Sequence, residues 1–126
     1  MFLKEEKGQA LVELALILPV LLLLVFGIVE FGRVYGAYLT VNHAAREGAR
    51  AAAVGFNDID TEEVVLNASS SLAAENVKIT IAPSTRVRGE EVRVRVSYPV
   101  ELYAPFIKQI LPNPLTVEGE VVMRVE

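Results

Sequence analysis

From Leu14 to Val29 the chain reads LALILPVLLLLVFGIV, 16 residues without a charged or polar side chain. Extending back to Ala10 makes 20 residues that carry one carboxylate, Glu13. About 20 apolar residues take a helix across ~30 Å of hydrocarbon, so residues 10–29 form a candidate membrane span. The run is apolar all round, not along one stripe, as a membrane helix is. A removed signal peptide would need a small-x-small cleavage site after the run. VFGIVEFGRVYG (Val25 to Gly36) offers none, and the helical pattern continues. Glu30 to Val54 mixes Glu30, Arg33, Arg46, Glu47 and Arg50 with apolar and small residues before Gly55, a residue suited to stop a helix. The pattern therefore predicts one long helix from Gln9 to about Val54, anchored in a membrane by its first half.

Beyond Gly55 the periodicity changes twice. Asp60 or Thr61 is a candidate cap for a second helix that runs to about Ala74, with Val64, Val65, Ala68, Leu72 and Ala73 at helical spacing. Alternation then predicts three strands: residues 77–81, residues 92–96 stopped before Pro99, and Leu115 to Val125. The piece between the last two, Val100 to Pro114, holds three prolines and reads as a loop with one helical turn near Phe106 to Ile110. Strand alternation implies one buried and one wet face. Arg93 and Arg95 share the wet face with Glu118 and Glu120, placed to pair if those strands are antiparallel neighbours. The expected fold class is α+β: a long N-terminal helix, a short second helix and a small antiparallel sheet of about three strands. The 71 residues after Gly55 make a marginal core alone, so the long helix should serve as its structural partner.

Composition narrows the function. The chain has 126 residues, 12 Lys+Arg against 16 Asp+Glu, a net charge of -4, one His and no Cys. That length suits one ordinary domain, and no basic excess exists to neutralise nucleic-acid phosphates. Without Cys there is no disulfide, thiolate zinc site or cysteine nucleophile, and His43 alone cannot build a histidine metal cluster. Glu62/Glu63 and Glu90/Glu91 fit a first helical turn and a strand edge. No enzyme constellation emerges, so neither catalysis, nor a metal, nor a cofactor is expected.

The chemistry sits at the start of the long helix. Met1 to Gly8 (MFLKEEKG) is a polar leader whose Lys4 and Lys7 balance Glu5 and Glu6. Glu13 follows Gly8 by five residues inside the apolar run, where a carboxylate costs on the order of 2.5–3.5 kcal/mol at a helix centre and less near an interface. One reading lets Glu13 reach the headgroups. The other has a peptidase cut after Gly8, so that Gln9 becomes a positively charged terminus and Glu13 the fifth mature residue, able to neutralise that charge in its own chain or in a neighbour. Pro19 removes a hydrogen bond to the carbonyl of Ala15, which gives either a tolerated irregularity or a functional bend. Gly32, Gly36, Thr40, Ala44, Gly48 and Ala52 recur every four residues, a spacing that lets another element approach closely. That element is either the protein's own sheet or another subunit.

Gly8-Gln9-Ala10-Leu11-Val12-Glu13 resembles the type IV pilin processing signature, and GQALVELALILPVLLLLVFGIVEFGR resembles the TadE-like pseudopilins of the tight-adherence (Flp pilus) system. AAREGARAAAVG (Ala44 to Gly55) and VVMRVE (Val121 to Glu126) extend the likeness. The resemblance implies a prepilin peptidase that reads Gly8 and releases a chain starting at Gln9, with Glu13 aiding assembly. It implies a single-pass protein of the bacterial inner membrane whose C-terminal domain is periplasmic or extracellular, incorporated with other pilin-like subunits and pilus assembly proteins as a homo- or hetero-oligomer. Leu14 stands where pilins and many TadE-like proteins have Phe, and the leader is neutral where pilin leaders are usually basic. Lys4 and Lys7 do not outnumber Arg33 and Arg46, so orientation rests on the resemblance and not on the positive-inside rule. The expected organisation is a leader over residues 1–8, a hydrophobic helix over 9–55 and an extracytoplasmic head over 56–126. The alternative is an uncleaved single-pass membrane protein whose outer domain binds partner proteins.

Overall fold

The computed structural model describes residues 2–105 and 107–126. Helix α1 (Phe2–Ala53) is followed by α2 (Asp58–Ala68), a 3-10 turn (Ala74–Asn76), β1 (Lys78–Ala82), β2 (Glu91–Val100), α3 (Ile107–Ile110) and β3 (Leu115–Arg124). The strands form an antiparallel sheet in the order β1-β2-β3. The α+β architecture expected from the hydrophobic pattern is the one observed.

Helix α1 has two lives along one axis. Among the described residues its first half has no buried side chain: none of the most apolar window is buried. Its second half is the spine of the head, where Ala37, Val41, Ala44, Ala45 and Ala49 join Val65 of α2 and Val94, Val96 and Val117 of the sheet in one core. Alanines dominate the helix side because the sheet lies close. The nearest approach is at Gly119, where an added Cβ would stand 2.8 Å from the Asn42 Cα. Burial in β2 alternates from Val92 to Val96, which places Arg93 and Arg95 on the wet face, as the alternation predicts. Residues 117, 119, 121 and 123 are the more buried positions along β3, with Val125 continuing the alternation just past its end.

Several boundaries differ from the expected ones, each for a local reason. Helix α1 includes the leader from Phe2 onward, so Gly8 is not a helix start. The cap of α2 is Asn57, whose Oδ1 accepts the Asp60 N–H at 2.7 Å, in place of Asp60 or Thr61. Helix α2 ends at Ala68 and not near Ala74: Ser69 leaves helical geometry at φ −115° and ψ 34°, its N–H also reaches the Leu66 carbonyl at 3.3 Å, and its hydroxyl donates to the Val65 carbonyl at 2.7 Å. Strand β2 runs through Pro99 to Val100. Pairing with β1 ends at Ser97, so Pro99 lies where the strand has only β3 beside it and the missing N–H disrupts less. The helical turn of the loop is α3; Phe106, expected at its start, lies outside the described residues.

The far end of the head is tied by backbone and arginine. The Glu126 N–H donates to the Ala53 carbonyl at 2.9 Å, so the end of the chain satisfies an open carbonyl of α1. Arg86 donates to the Asp58 carboxylate and the Phe56 carbonyl, both at 2.6 Å, and fastens the β1–β2 connection to the α1–α2 turn.

Candidate functional site

The residues with candidate chemistry lie along α1 and divide into an exposed apolar rod, a collar where the head begins, and a ridge that winds from the collar into the head. On the rod, Gly8, Gln9, Glu13 and Pro19 are all exposed. Gln9 and Glu13 stand four residues apart, on the same face about one turn apart. Glu13 is followed by an unpartnered apolar surface in which Leu16 and Ile28 are each 71% exposed. In water such a surface is untenable, since single apolar side chains are common outside but a contiguous apolar cylinder is not. Hydrocarbon removes that penalty. This is one helix long and apolar enough to cross a membrane.

The collar begins one residue after the candidate span. Glu30 is 6% exposed, although it is the first charged residue after 16 uncharged ones. Its Oε1 accepts from Arg33 at 2.9 Å, and its Oε2 accepts the Tyr103 backbone N–H at 3.4 Å. The Arg33 guanidinium in turn lies 4.6 Å from the centre of the Tyr103 ring, a cation–π contact. Leu102 and Ala104, on either side, are buried, and the Leu102 N–H donates to Asn113 Oδ1 at 3.0 Å. The segment after β2 is thereby clasped to α1 where the helix leaves its apolar stretch. Sequence reasoning passed over Glu30 and Tyr103 as site residues. Glu30 and Arg33 at i, i+3 were a visible signal for half of the clasp; the other half lies 73 residues away.

The small-residue ridge does not present one surface. Four residues turn a helix by about 400°, so the ridge moves about 40° per step. Gly32 and Gly36 are exposed with open space where a Cβ would go, whereas Ala44, Gly48 and Ala52 are buried against the head. At Gly48 an added Cβ would lie 2.5 Å from Val65 Cγ2 and 3.2 Å from Val94 Cγ1. The protein's own sheet and α2 are therefore the close partner for the lower ridge, whereas among the described residues nothing lies within 4 Å of a Cβ added at Gly32 or Gly36. Beside them Phe31, Tyr35 and Tyr38 form an exposed stack, with ring centres 5.7 and 6.4 Å apart.

The wet face of the sheet carries the anticipated charge ladder. Arg95 contacts Glu118 at 2.7 Å and Glu120 at 2.6 Å, and Arg93 reaches Glu120 at 3.1 Å. The hydrogen bond and charge of Arg95 hold the Glu120 carboxyl below the ordinary carboxylate range, and Glu120 correspondingly raises Arg95.

No curated protein and no solved structure matches the chain. A family model described as TadE-like protein matches residues 8–50, about a third of the chain, and the match begins at Gly8. The matched stretch takes in the apolar rod, Glu30 and Arg33 of the collar, and most of the ridge. Over residues 8–50, and there alone, the chain is similar to the TadE-like family.

Proposed function

We propose that the protein is a pilin-like structural subunit, a pseudopilin or minor pilin of a tight-adherence apparatus. In this reading a prepilin peptidase cuts between Gly8 and Gln9, and residues 1–8 are removed. Residues 9–55 act first as a membrane anchor and then as the packing core of an assembly. Residues 56–126 face the periplasm or exterior and meet other subunits. The observation that carries the reading is the Gly8–Glu13 motif at the head of a helix whose most apolar window has nothing buried among the described residues, inside a family match that starts at the same glycine. The i, i+4 relation of Gln9 and Glu13 supports the electrostatic part. A new ammonium at Gln9 has a carboxylate one turn along the same face, and a neighbouring subunit shifted by about that rise could supply the amine instead.

The deciding experiment is mass spectrometry of the protein recovered from membranes of cells with an active prepilin peptidase. A chain beginning at Gln9 is expected. A chain that keeps residues 1–8 in those cells sinks the processing step and leaves the uncleaved single-pass membrane protein as the description.

A further inference from the structure

Among the described residues, an apolar tip projects from the segment between β2 and β3. Ile110 is 80% exposed, Tyr103 63% and Leu111 43%. Lys108 and Gln109 beside them are exposed as well. A four-residue helix buries little by itself, and this one leaves Ile110 in the open. Yet the segment is held, not loose. The Glu30–Arg33–Tyr103 clasp and the Leu102–Asn113 hydrogen bond fix both of its ends.

Its position along α1 gives the tip a solvent. Ile107, Leu111 and Leu115 line an apolar cleft together with Gly27, Glu30, Phe31 and Val34 of α1. Gly27 lies within the candidate span, two residues before its end at Val29, a rise of about 3 Å. The tip therefore sits level with the last turn of the span and the first turn beyond it. That is the depth of the headgroup–acyl boundary for any bilayer that covers residues 10–29. The exposed ring of Phe31 stands at the same level on α1, with Tyr35 stacked on it one turn further out, as aromatic side chains do at membrane interfaces. Lys108 adds a cation on a long stem that reaches phosphates while its methylenes stay with the lipid.

We propose that Tyr103 and residues 107–111 form a second membrane contact: a foot that lies on the bilayer surface beside the exit of α1. Ile110 and Leu111 enter the acyl boundary and Lys108 meets the lipid phosphates. The lipid surface is the occupant because the tip is continuous with the part of α1 that the bilayer already surrounds. The inference rests on the reading of residues 10–29 as the span, so its test contains a separate measure of that span.

The chain has no Cys, so single-cysteine variants take one label each. Ile110→Cys, Leu24→Cys and Val87→Cys, all at exposed positions, are labelled with an environment-sensitive fluorophore. The full chain is then reconstituted in phosphatidylcholine–phosphatidylglycerol vesicles that contain nitroxide lipids. Position 24 reports the span and position 87 the far end of the head. The expected result is a blue shift and loss of intensity at 110 with nitroxides near the headgroup. Position 24 is quenched by deeper nitroxides, and position 87 keeps the emission of water. Emission at 110 that matches 87 while 24 is quenched overturns the foot and leaves the span standing. Emission at 24 that matches water overturns both. A blue shift at 110 without lipid quenching, lost on dilution with excess lipid, assigns the tip to a second copy and also overturns the proposal.

Discussion

Gly119 of β3 lies against the backbone of Asn42 in α1 so closely that a Cβ on the glycine would stand 2.8 Å from the Asn42 Cα and 2.9 Å from its nitrogen. The obstacle is main chain on both sides, so no rotamer change relieves it. Gly119→Ala should push the strand off the helix at the centre of the core. Overpacking of this kind costs about 1–3 kcal/mol, and a thermal melt of the full chain in detergent should show the loss.

Gly48 and Gly36 make a contrasting pair on one helix. Gly48→Ala meets Val65 Cγ2, a stiff β-branched side chain that is fully buried, and should destabilise by about 1–3 kcal/mol. Gly36→Ala meets open space and should raise helix stability by about 1 kcal/mol. If Gly36 serves close packing between subunits, the same change lowers assembly while it raises the melting temperature. Opposite signs in those two readouts separate an intermolecular role from a structural one.

Arg33→Ala removes the positive partner of a buried carboxylate. Glu30 keeps only the long hydrogen bond from Tyr103, and Tyr103 loses the cation over its ring. The expected cost is about 1–3 kcal/mol, concentrated in the loop. Hydrogen exchange should speed up at the Leu102 and Tyr103 amides and stay unchanged in the centre of β2.

The charge ladder sets a pH dependence. Glu120 titrates below its ordinary value because Arg95 favours its charged form, so folding binds the anion preferentially. That contribution is fully present above the unfolded carboxylate value, 4.5 for a free glutamate side chain, and is lost as pH falls through the lower folded value. Glu120→Gln should therefore flatten the decline of melting temperature in the acid range. The effect should shrink in high salt, because the pair lies on the wet face.

Glu13→Ala tests the assembly role directly. The substitution makes the rod more apolar, so membrane insertion is expected to persist in fractionation. Incorporation into filaments should fall. Normal piliation in that mutant would leave Glu13 as a carboxylate that merely reaches the headgroups.

Where one interaction pattern dominated locally, the fold was readable from residues alone. The run from Leu14 to Val29 and the alternation in β2 and β3 each point to one structure, and the alternation puts Arg93, Arg95, Glu118 and Glu120 on one face, while the pairing itself sets Arg95 opposite Glu120. Other features were undetermined because several local solutions compete. Asn57, Asp58, Asp60 and Thr61 can all cap a helix, and the contact of Arg86 with Asp58 comes from a distant loop. Leu72 pointed to a longer α2, yet it packs against the core from a turn beyond the helix's end. The ridge was legible as a spacing but not as a surface. Only the position of the sheet shows where its slow rotation carries it from the open side to the core.

The single helix that belongs to both the apolar rod and the core makes the head a lever. No proline interrupts α1 between Glu30 and Ala53, a stretch of roughly 35 Å at 1.5 Å per residue. A change of about 10° in the tilt of the span would sweep the far end of the head by roughly 6 Å, with no joint to absorb it. Rotation of the buried half about its own axis would turn the charge ladder by the same angle. A force that draws the head outward passes straight down the rod, so lifting the cap and withdrawing the anchor become one motion.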